Sequence, residues 1–448
     1  MKTCLHPGVF KLLIFSVLLS CFFTSCQHNA SKENAQADYS NGKFIADWNS
    51  KLTESIVQDL FTPPVASRIY AYSHLAAYEV LRFSDTKAGS LAAKLHGFKA
   101  IPEPGKDTPI NYTLAALTAF STVGQKLVYT ESVLKDYQAH ILDSMQKAGL
   151  SKEEADSSVS YGKKVAAIIL QRAGSDMFKE TRGMPRYKLV GKPGSYKPTP
   201  PDYTPAVEPY WNKIHPFALD SASEFRPDTI MPFSTEKNSR YYNAAMEVLQ
   251  INKGITDDEI NCAKFWDCNP NVSDHEGHLT VMNQKMTPGG HWMEIVTHVV
   301  KHKHLSQLEA THTYALTAIG IADAFIACWD SKYTFNTIRP VTYIQENIQH
   351  DWMPPLQTPP FPEFPSGHST ISASAAYVLT NLFGDHYVFT DSSELYYGMP
   401  VRTEQSFIDA ANEVAISRLY GGIHFRYANV IGQQIGFSVA KKLLSKTK

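Results

Sequence analysis

Three short segments of the chain carry side chains suited to holding an oxoanion. They are Lys332-Tyr-Thr-Phe-Asn-Thr-Ile-Arg339-Pro340, Pro365-Ser366-Gly367-His368 and Ser417-Arg418-Leu-Tyr-Gly421-Gly422-Ile-His424. Lys332, Arg339 and Arg418 supply one ammonium and two guanidiniums, and a planar guanidinium fork meets two oxygens of a tetrahedral anion at once. Ser366 adds a hydroxyl donor, and Gly367 lets the backbone approach closely. His368 has the side chain best matched to proton transfer near neutrality, which makes it the candidate acid–base. His424, presented on a bent backbone after two glycines, could bond a metal centre or attack phosphorus opposite a leaving group. Singly, each of these residues reads as surface or turn. In this order they describe one pocket.

The elements around them must then converge. Pro340 is expected to end the helix carrying Lys332 and to turn Arg339 back toward the same centre. Ser366-Gly367-His368 precedes the small, apolar stretch Thr370 to Leu382, so its amides are expected at a helix N-terminus, where free N–H groups and the dipole favour an anion. Arg418 falls near the end of a helix expected from Gln405 to Leu419, broken by Gly421-Gly422. Helical periodicity also runs from about residue 44 to 175, notably in Val65 to Leu81 and Leu114 to Val128. Ser151-Lys152-Glu153-Glu154 has the form of a capping box opening a helix at Lys152. Residues 184–217 hold eight prolines and cannot be helix interior. Tyr196, Tyr203, Tyr210, Trp211 and Phe217 are suited to anchor that stretch as an ordered loop. Helical patterning resumes near Asn238. The fold class is therefore all-α, with two packed helical bundles, residues 44–235 and 236–448, the second carrying the site.

The 448 residues, 43% hydrophobic, suffice for substantial cores, and 42 basic against 43 acidic side chains leave no global field for nucleic acid or an acidic membrane. Any anion site must be local. Lys2 and Lys11 precede an apolar run, Leu12 to Phe23, that is short of the ~20 residues needed to span a bilayer and reads as an export signal. Phe23-Thr24-Ser25-Cys26 resembles a bacterial lipobox, so residues 1–26 are expected to be a lipoprotein signal peptide and 27–43 a flexible tether. Leu18-Leu19-Ser20-Cys21 is a competing site, and an ordinary secretory signal the plainer alternative. The expected location is the cell envelope, through the lipid anchor alone, or outside the cell. Of six cysteines, Cys262, Cys268 and Cys328 lie in the body. An oxidising compartment permits a Cys262–Cys268 bridge without proving one.

The three motifs together resemble the superfamily that unites vanadium-dependent haloperoxidases with type 2 phosphatidic-acid phosphatases, and the chain is most similar to the haloperoxidase branch, its bacterial iodo- and bromoperoxidases in particular. Asp323-Ala-Phe-Ile-Ala-Cys-Trp329, Gly290-His291-Trp292 and Pro198-Thr199-Pro200-Pro201 with Pro216-Phe217 add to the likeness. The resemblance implies a two-bundle, all-α enzyme whose cofactor is vanadate. It implies that Lys332, Arg339, Ser366, Gly367 and Arg418 hold vanadate oxygens, that His424 bonds vanadium and that His368 is the acid–base. Hydrogen peroxide and a halide are the implied substrates, Lys332 polarises the peroxide, and diffusible organic acceptors take the halogen. The residues that lie beside vanadate in the family correspond to Trp329 and Phe361, which suit core packing equally well. Iodide is the easiest halide to oxidise, with bromide next. One departure stands out: where the family often has Asp four residues after the metal-binding histidine, this chain has Ala428, so some other group must orient His424.

Two rivals remain open at this level. One is an exported acid phosphatase with a phosphohistidine intermediate at His424, and the other a surface lipoprotein that binds the anion without turnover. Elsewhere, His298, His302 and His304 could offer ligands from one helical face, yet Lys301 and Lys303 mark that face as solvated. His275-Glu276-Gly277-His278 lacks the spacing of a helical metal pair and reads as loop.

Overall fold

A computed structural model describes residues 39–448 apart from residue 271, so the expected leader and lipobox and most of the expected tether lie outside the described residues. Four helices open the fold: α1 (Gly42–Gln58), α2 (Pro63–Leu81), α3 (Tyr112–Leu127) and α4 (Glu131–Lys147). The Asn41 side chain caps α1 by accepting from the Lys43 amide. Ordered helix thus begins inside the stretch expected to be tether. α5 (Lys152–Ala173) begins where expected, with the Ser151 hydroxyl accepting from the Glu154 amide. The reciprocal capping boxes form elsewhere, at Thr256/Glu259 and Ser306/Glu309. After the short α6 (Phe178–Arg182), residues 184–217 run without regular structure save a 3-10 turn at Trp211–Lys213. Tyr196, Trp211 and Phe217 are buried and pin this loop, while Tyr203 stays exposed.

The second half comprises α7 (Arg240–Lys253), α8 (Asp257–Phe265), α9 (Pro288–His302), α10 (Gln307–Phe335), α11 (Pro340–Asn347), α12 (Gly367–Phe383), α13 (Phe407–Tyr420) and α14 (Arg426–Thr447). Two hairpins interrupt it, β1 (Val272–Glu276) with β2 (Leu279–Asn283) and β3 (Phe389–Asp391) with β4 (Arg402–Glu404), both antiparallel. The first corrects the reading of His275-Glu276-Gly277-His278 as loop: Gly277, at φ 60°, closes a tight turn that lets the flanking residues pair.

α10 is the axis of the molecule. Its residues from Thr313 to Lys332 are buried on every side, as a helix apolar all round must be. One flank packs against α2, which belongs to a bundle with α3 and α5; the other packs against α12 and α14, which with α13 form the second bundle. A single hydrophobic core therefore extends from Phe44 to Leu444. Packing does not divide at residue 235, because α1 lies on α9 and α10. The α12–α14 seam depends on Gly436, where an added Cβ would sit 2.0 Å from the Thr370 carbonyl oxygen. Cys262 and Cys268 are both free, buried thiols, so the bridge that the compartment would permit is not formed.

Candidate active site

Lys332 occupies the last turn of α10, fully buried. Pro340 does not end this helix as expected. Asn336 does, in the left-handed conformation at φ 52°, and Pro340 instead opens α11 with Arg339 at its N-cap. The outcome for Arg339 is the expected one: its guanidinium turns inward and is buried. A cis peptide joins Phe364 to Pro365, and Ser366 then caps α12, its hydroxyl accepting from the Ser369 amide and hydroxyl. Gly367 and His368 are the first residues of that helix, which puts their amides at its positive end. Arg418 lies in the last turn of α13, and Gly422, at φ 71°, swings the chain so that His424 arrives buried.

These residues meet. The Lys332 ammonium donates to the carbonyl oxygens of Pro362 at 2.8 Å and Glu363 at 3.0 Å. Arg339 donates through Nε to the Phe361 carbonyl at 2.8 Å and through Nη1 to the Ile423 carbonyl at 2.8 Å, and Nη1 lies 3.2 Å from His424 Nε2. Arg418 donates to the Ala263 carbonyl at 3.0 Å and from Nε to the Ser417 hydroxyl at 3.0 Å. Its Nη1 is buried without a hydrogen-bond partner, the nearest carboxylate, Asp267, being 3.7 Å away. His368 stands at the pocket edge, its ring half-buried and its Nε2 buried and unpartnered. An added Cβ at Gly367 would point at the Trp329 ring, 3.4 Å away, and at Lys332 Cε, 3.9 Å away.

Burial costs charged groups their solvation. Burial pulls Lys332 down to about 7 and Arg339 down to about 10, in spite of the opposing pull of Glu363. Burial, reinforced by the neighbouring cations, holds His368 and His424 well below the usual imidazole range, so both rings are neutral. Glu363 is pushed up to about 7 by burial, although Arg339 and Lys332 draw it back.

Glu363 is the functional residue that sequence reasoning missed. Its carboxylate lies 2.9 Å from His424 Nδ1 and accepts from the Phe425 amide at 3.1 Å. It therefore supplies the support that Ala428 cannot: with Nδ1–H donated to Glu363, the lone pair of Nε2 is left facing the pocket. The only signal was position, an acidic residue between two prolines five residues before His368. Ala428 is fully buried and bonds through its backbone, its carbonyl accepting from the Ser366 amide. Trp329 and Phe361 both border the site. Their rings are 5.0 Å apart, and the Lys332 ammonium lies 5.7 and 5.0 Å from the respective centroids. Of the remaining candidates, His298 is half-buried and bonds the Ser392 hydroxyl, whereas His302 and His304 are exposed.

The family model for the second helical-bundle domain of VCPO matches residues 312–448, a span that contains all three motifs. Among solved structures, a bacterial vanadium-dependent iodoperoxidase is 39% identical, with 92% of this chain and 97% of that one covered and a TM-score of 0.86. A bacterial vanadium-dependent chloroperoxidase, 17% identical over 92% of this chain and the whole of that one, shares the fold at a TM-score of 0.68. No curated protein matches the chain. The extent of the likeness to the iodoperoxidase, joined to the convergence of the three motifs on one buried pocket, places this chain in the vanadium-dependent haloperoxidase family.

Proposed function

We propose that the chain uses hydrogen peroxide to oxidise iodide, and more slowly bromide, at a vanadate cofactor held by Lys332, Arg339, Ser366, Gly367, Arg418 and His424. One observation carries the reading: two buried polar atoms, Arg418 Nη1 and His368 Nε2, have no hydrogen-bond partner among the described residues, in a pocket that holds three buried cations. Such atoms are costly unless a ligand satisfies them. A tetrahedral oxoanion fits the donor set, and the absence of a Cβ at Gly367, which would touch the Trp329 ring at 3.4 Å, keeps that side of the cradle clear.

Vanadate, when bound, supplies Lewis-acid activation of peroxide with no change in oxidation state. The chain does the rest. The guanidiniums of Arg339 and Arg418 and the amides at the start of α12 bind oxygens. His424 offers Nε2 as the protein ligand, its tautomer set by Glu363. His368, neutral at the pocket mouth, takes a proton from incoming peroxide and returns it to the departing oxygen. Lys332 donates a hydrogen bond to the oxygen that the halide attacks. Trp329 and Phe361 form an apolar wall at this point, which suits iodide, the largest and least tightly hydrated of the halides in question. The released electrophile halogenates diffusible organic acceptors, which the protein need not hold tightly.

Glu363 also removes one objection to the phosphatase reading, since a carboxylate on Nδ1 would equally strengthen His424 as a nucleophile. A paired assay separates the two. The purified chain, loaded with orthovanadate, is assayed for peroxide-dependent oxidation of iodide, bromide and chloride, and without vanadate for p-nitrophenyl phosphate hydrolysis. Iodide oxidation exceeding bromide, with chloride inert, is expected, and His424→Ala is expected to abolish vanadate binding. Failure to oxidise any halide overturns the proposal, and rapid ester hydrolysis would establish the phosphatase instead.

A further inference from the structure

A second buried cluster, which the proposed reaction does not use, lies among the end of α8, the start of α9 and the segment after β3. Cys268 follows α8, His291 is in the first turn of α9, and Glu394 is just beyond β3. All three are essentially inaccessible to solvent. Cys268 Sγ is 3.1 Å from His291 Nδ1, Glu394 Oε1 is 3.5 Å from the same nitrogen, and the three atoms lie within 4.8 Å of one another. Among the described residues, neither carboxylate oxygen of Glu394 has a hydrogen-bond partner, and the residue is only 1% exposed. Leaving a buried carboxylate in that condition is expensive. A cation among the three atoms would satisfy it.

The surroundings of His291 point the same way. Its Nε2 lies 2.7 Å from Asp391 Oδ2 and 2.8 Å from the Ser393 hydroxyl, so the Nε2 proton is held by Asp391 and the lone pair of Nδ1 is directed at Cys268 and Glu394. Asp391 in turn accepts from the Ser393 amide at 2.9 Å. A metal-bound histidine ordinarily donates its second nitrogen to a carboxylate in this way, which fixes ring and tautomer. Trp266 stacks on the imidazole at 4.5 Å and Phe265 meets it edge-on at 5.5 Å, so the ring has one position.

We propose that Cys268, His291 and Glu394 bind a zinc ion through Sγ, Nδ1 and a carboxylate oxygen. Thiolate, imidazole and carboxylate form a mixed, borderline-soft set that zinc accepts in tetrahedral geometry, and ligand atoms ~2.0–2.3 Å from such an ion stand roughly 3.3–3.8 Å apart. The observed 3.1 and 3.5 Å lie within a few tenths of an ångström of that range, and the third pair, within 4.8 Å, closes by about 1 Å at most. Binding releases the thiol proton to solvent and involves no change of oxidation state. Two negative ligands then neutralise the dication. The ion ties three separate segments together and steadies Asp267, the neighbour of Cys268 that faces Arg418. Three protein ligands leave the fourth tetrahedral position to a solvent molecule, and none of the three belongs to the vanadate-holding set.

The untagged full chain, purified without chelator and analysed by elemental mass spectrometry, is expected to carry about one zinc per molecule. After zinc removal, cobalt(II) titration should give a thiolate-to-metal charge-transfer band with strong tetrahedral d–d absorption. Cys268→Ser should abolish the charge-transfer band, and Glu394→Gln should weaken cobalt affinity at least ~10-fold while keeping it. Glu363→Gln, which alters the vanadate pocket, should retain zinc. Where a variant fails to fold, the wild-type metal count and cobalt spectrum decide. A wild-type chain that takes up neither metal overturns the proposal, as does a Cys268→Ser protein with undiminished zinc and an unchanged cobalt spectrum. The first result would mean that His291 is instead an imidazolium paired with Asp391.

Discussion

Each bundle buries two arginines, and the two pairs are treated in opposite ways. In the first bundle, Arg68 on α2 forks onto Asp176 at 2.7 and 3.3 Å and donates to the Ala173 carbonyl, while Asp176 also accepts from Tyr72. Arg172 on α5 donates to the carbonyls of His96, His215 and Pro216 and to the Tyr72 hydroxyl. Arg68 is closed there by a carboxylate in direct contact, and Arg172 reaches the same carboxylate through the Tyr72 hydroxyl. In the second bundle, Arg339 and Arg418 are steadied mainly by backbone carbonyls, and among the described residues the carboxylate paired with Arg418, Asp267, stands off at 3.7 Å. Carbonyl dipoles orient a guanidinium without cancelling its charge. A buried arginine can thus be a strut or an open socket, and the difference lies in whether the protein or a ligand supplies the anion.

The sharpest way to break this contrast is to truncate one arginine from each pair. Arg68→Ala should lower stability by about 3–5 kcal/mol by stranding Asp176, with vanadate Kd unchanged in the protein that remains folded. Arg418→Ala should do the reverse, weakening vanadate binding roughly 100-fold, about 2.7 kcal/mol, with the smaller loss in Tm. Thermal unfolding and vanadate titration of both variants check this, and the opposite ranking would erase the distinction. The next largest effect belongs to Glu363→Gln. Losing the carboxylate on His424 should cost about 10- to 100-fold in vanadate affinity, read by the same titration, whereas an unchanged Kd would show that Glu363 does not orient the ligand.

The open site should also carry a pH signature. Burial pulls Lys332 down to about 7 from its ordinary 10.5 and pushes Glu363 up to about 7 from 4.5. As pH rises through 7 the pocket loses the lysine's positive charge and gains the carboxylate's negative one. The lost lysine charge opposes anion capture, whereas the gained carboxylate orients His424, so the lysine's share of vanadate Kd should climb by up to about tenfold per pH unit above 7. Stability follows with definite signs. Between 7 and 10.5 the unfolded chain holds the lysine proton that the folded chain lacks, so stability rises with pH. Between 4.5 and 7 the folded chain holds the Glu363 proton that the unfolded chain has lost, so stability falls. The two contributions meet in a minimum near pH 7, and Lys332→Met should remove the rise on its alkaline side, as denaturant titration across pH would show. The smallest effect is expected at Phe361, whose ring lies 5.0 Å from both Lys332 and Arg339. Phe361→Leu should shift the iodide-to-bromide rate ratio by only a few-fold, equivalent to about 1 kcal/mol or less. An unaltered ratio would make Phe361 packing alone.

Much of this was legible in the chain itself because it depends on local spacing. Apolar periodicity marked the helices, small residues marked the start of α12, and glycine marked the bend before His424. Lys332, Arg339, Ser366, Gly367, His368, Arg418 and His424 could be named as one set because each motif is contiguous. Other features were misread because they depend on partners distant in sequence or on single dihedral angles. Asn336 ended α10 where Pro340 was expected to, and a positive φ at Gly277 turned an expected loop into a hairpin.

What the sequence alone determined, then, is the class of fold, the donor set and the character of the ligand, since helix periodicity and residue chemistry are carried within short segments. The tertiary structure alone decided which carboxylate serves His424, which arginines are left without one, and that Cys268, His291 and Glu394 meet. Glu363 is 61 residues from His424, and His291 is 100 from Asp391. At such separations spacing in the chain sets no distance in space. The packing of α9 and α12 on α10 and of α8 on α13 sets it, and that packing follows from the burial of the core as a whole.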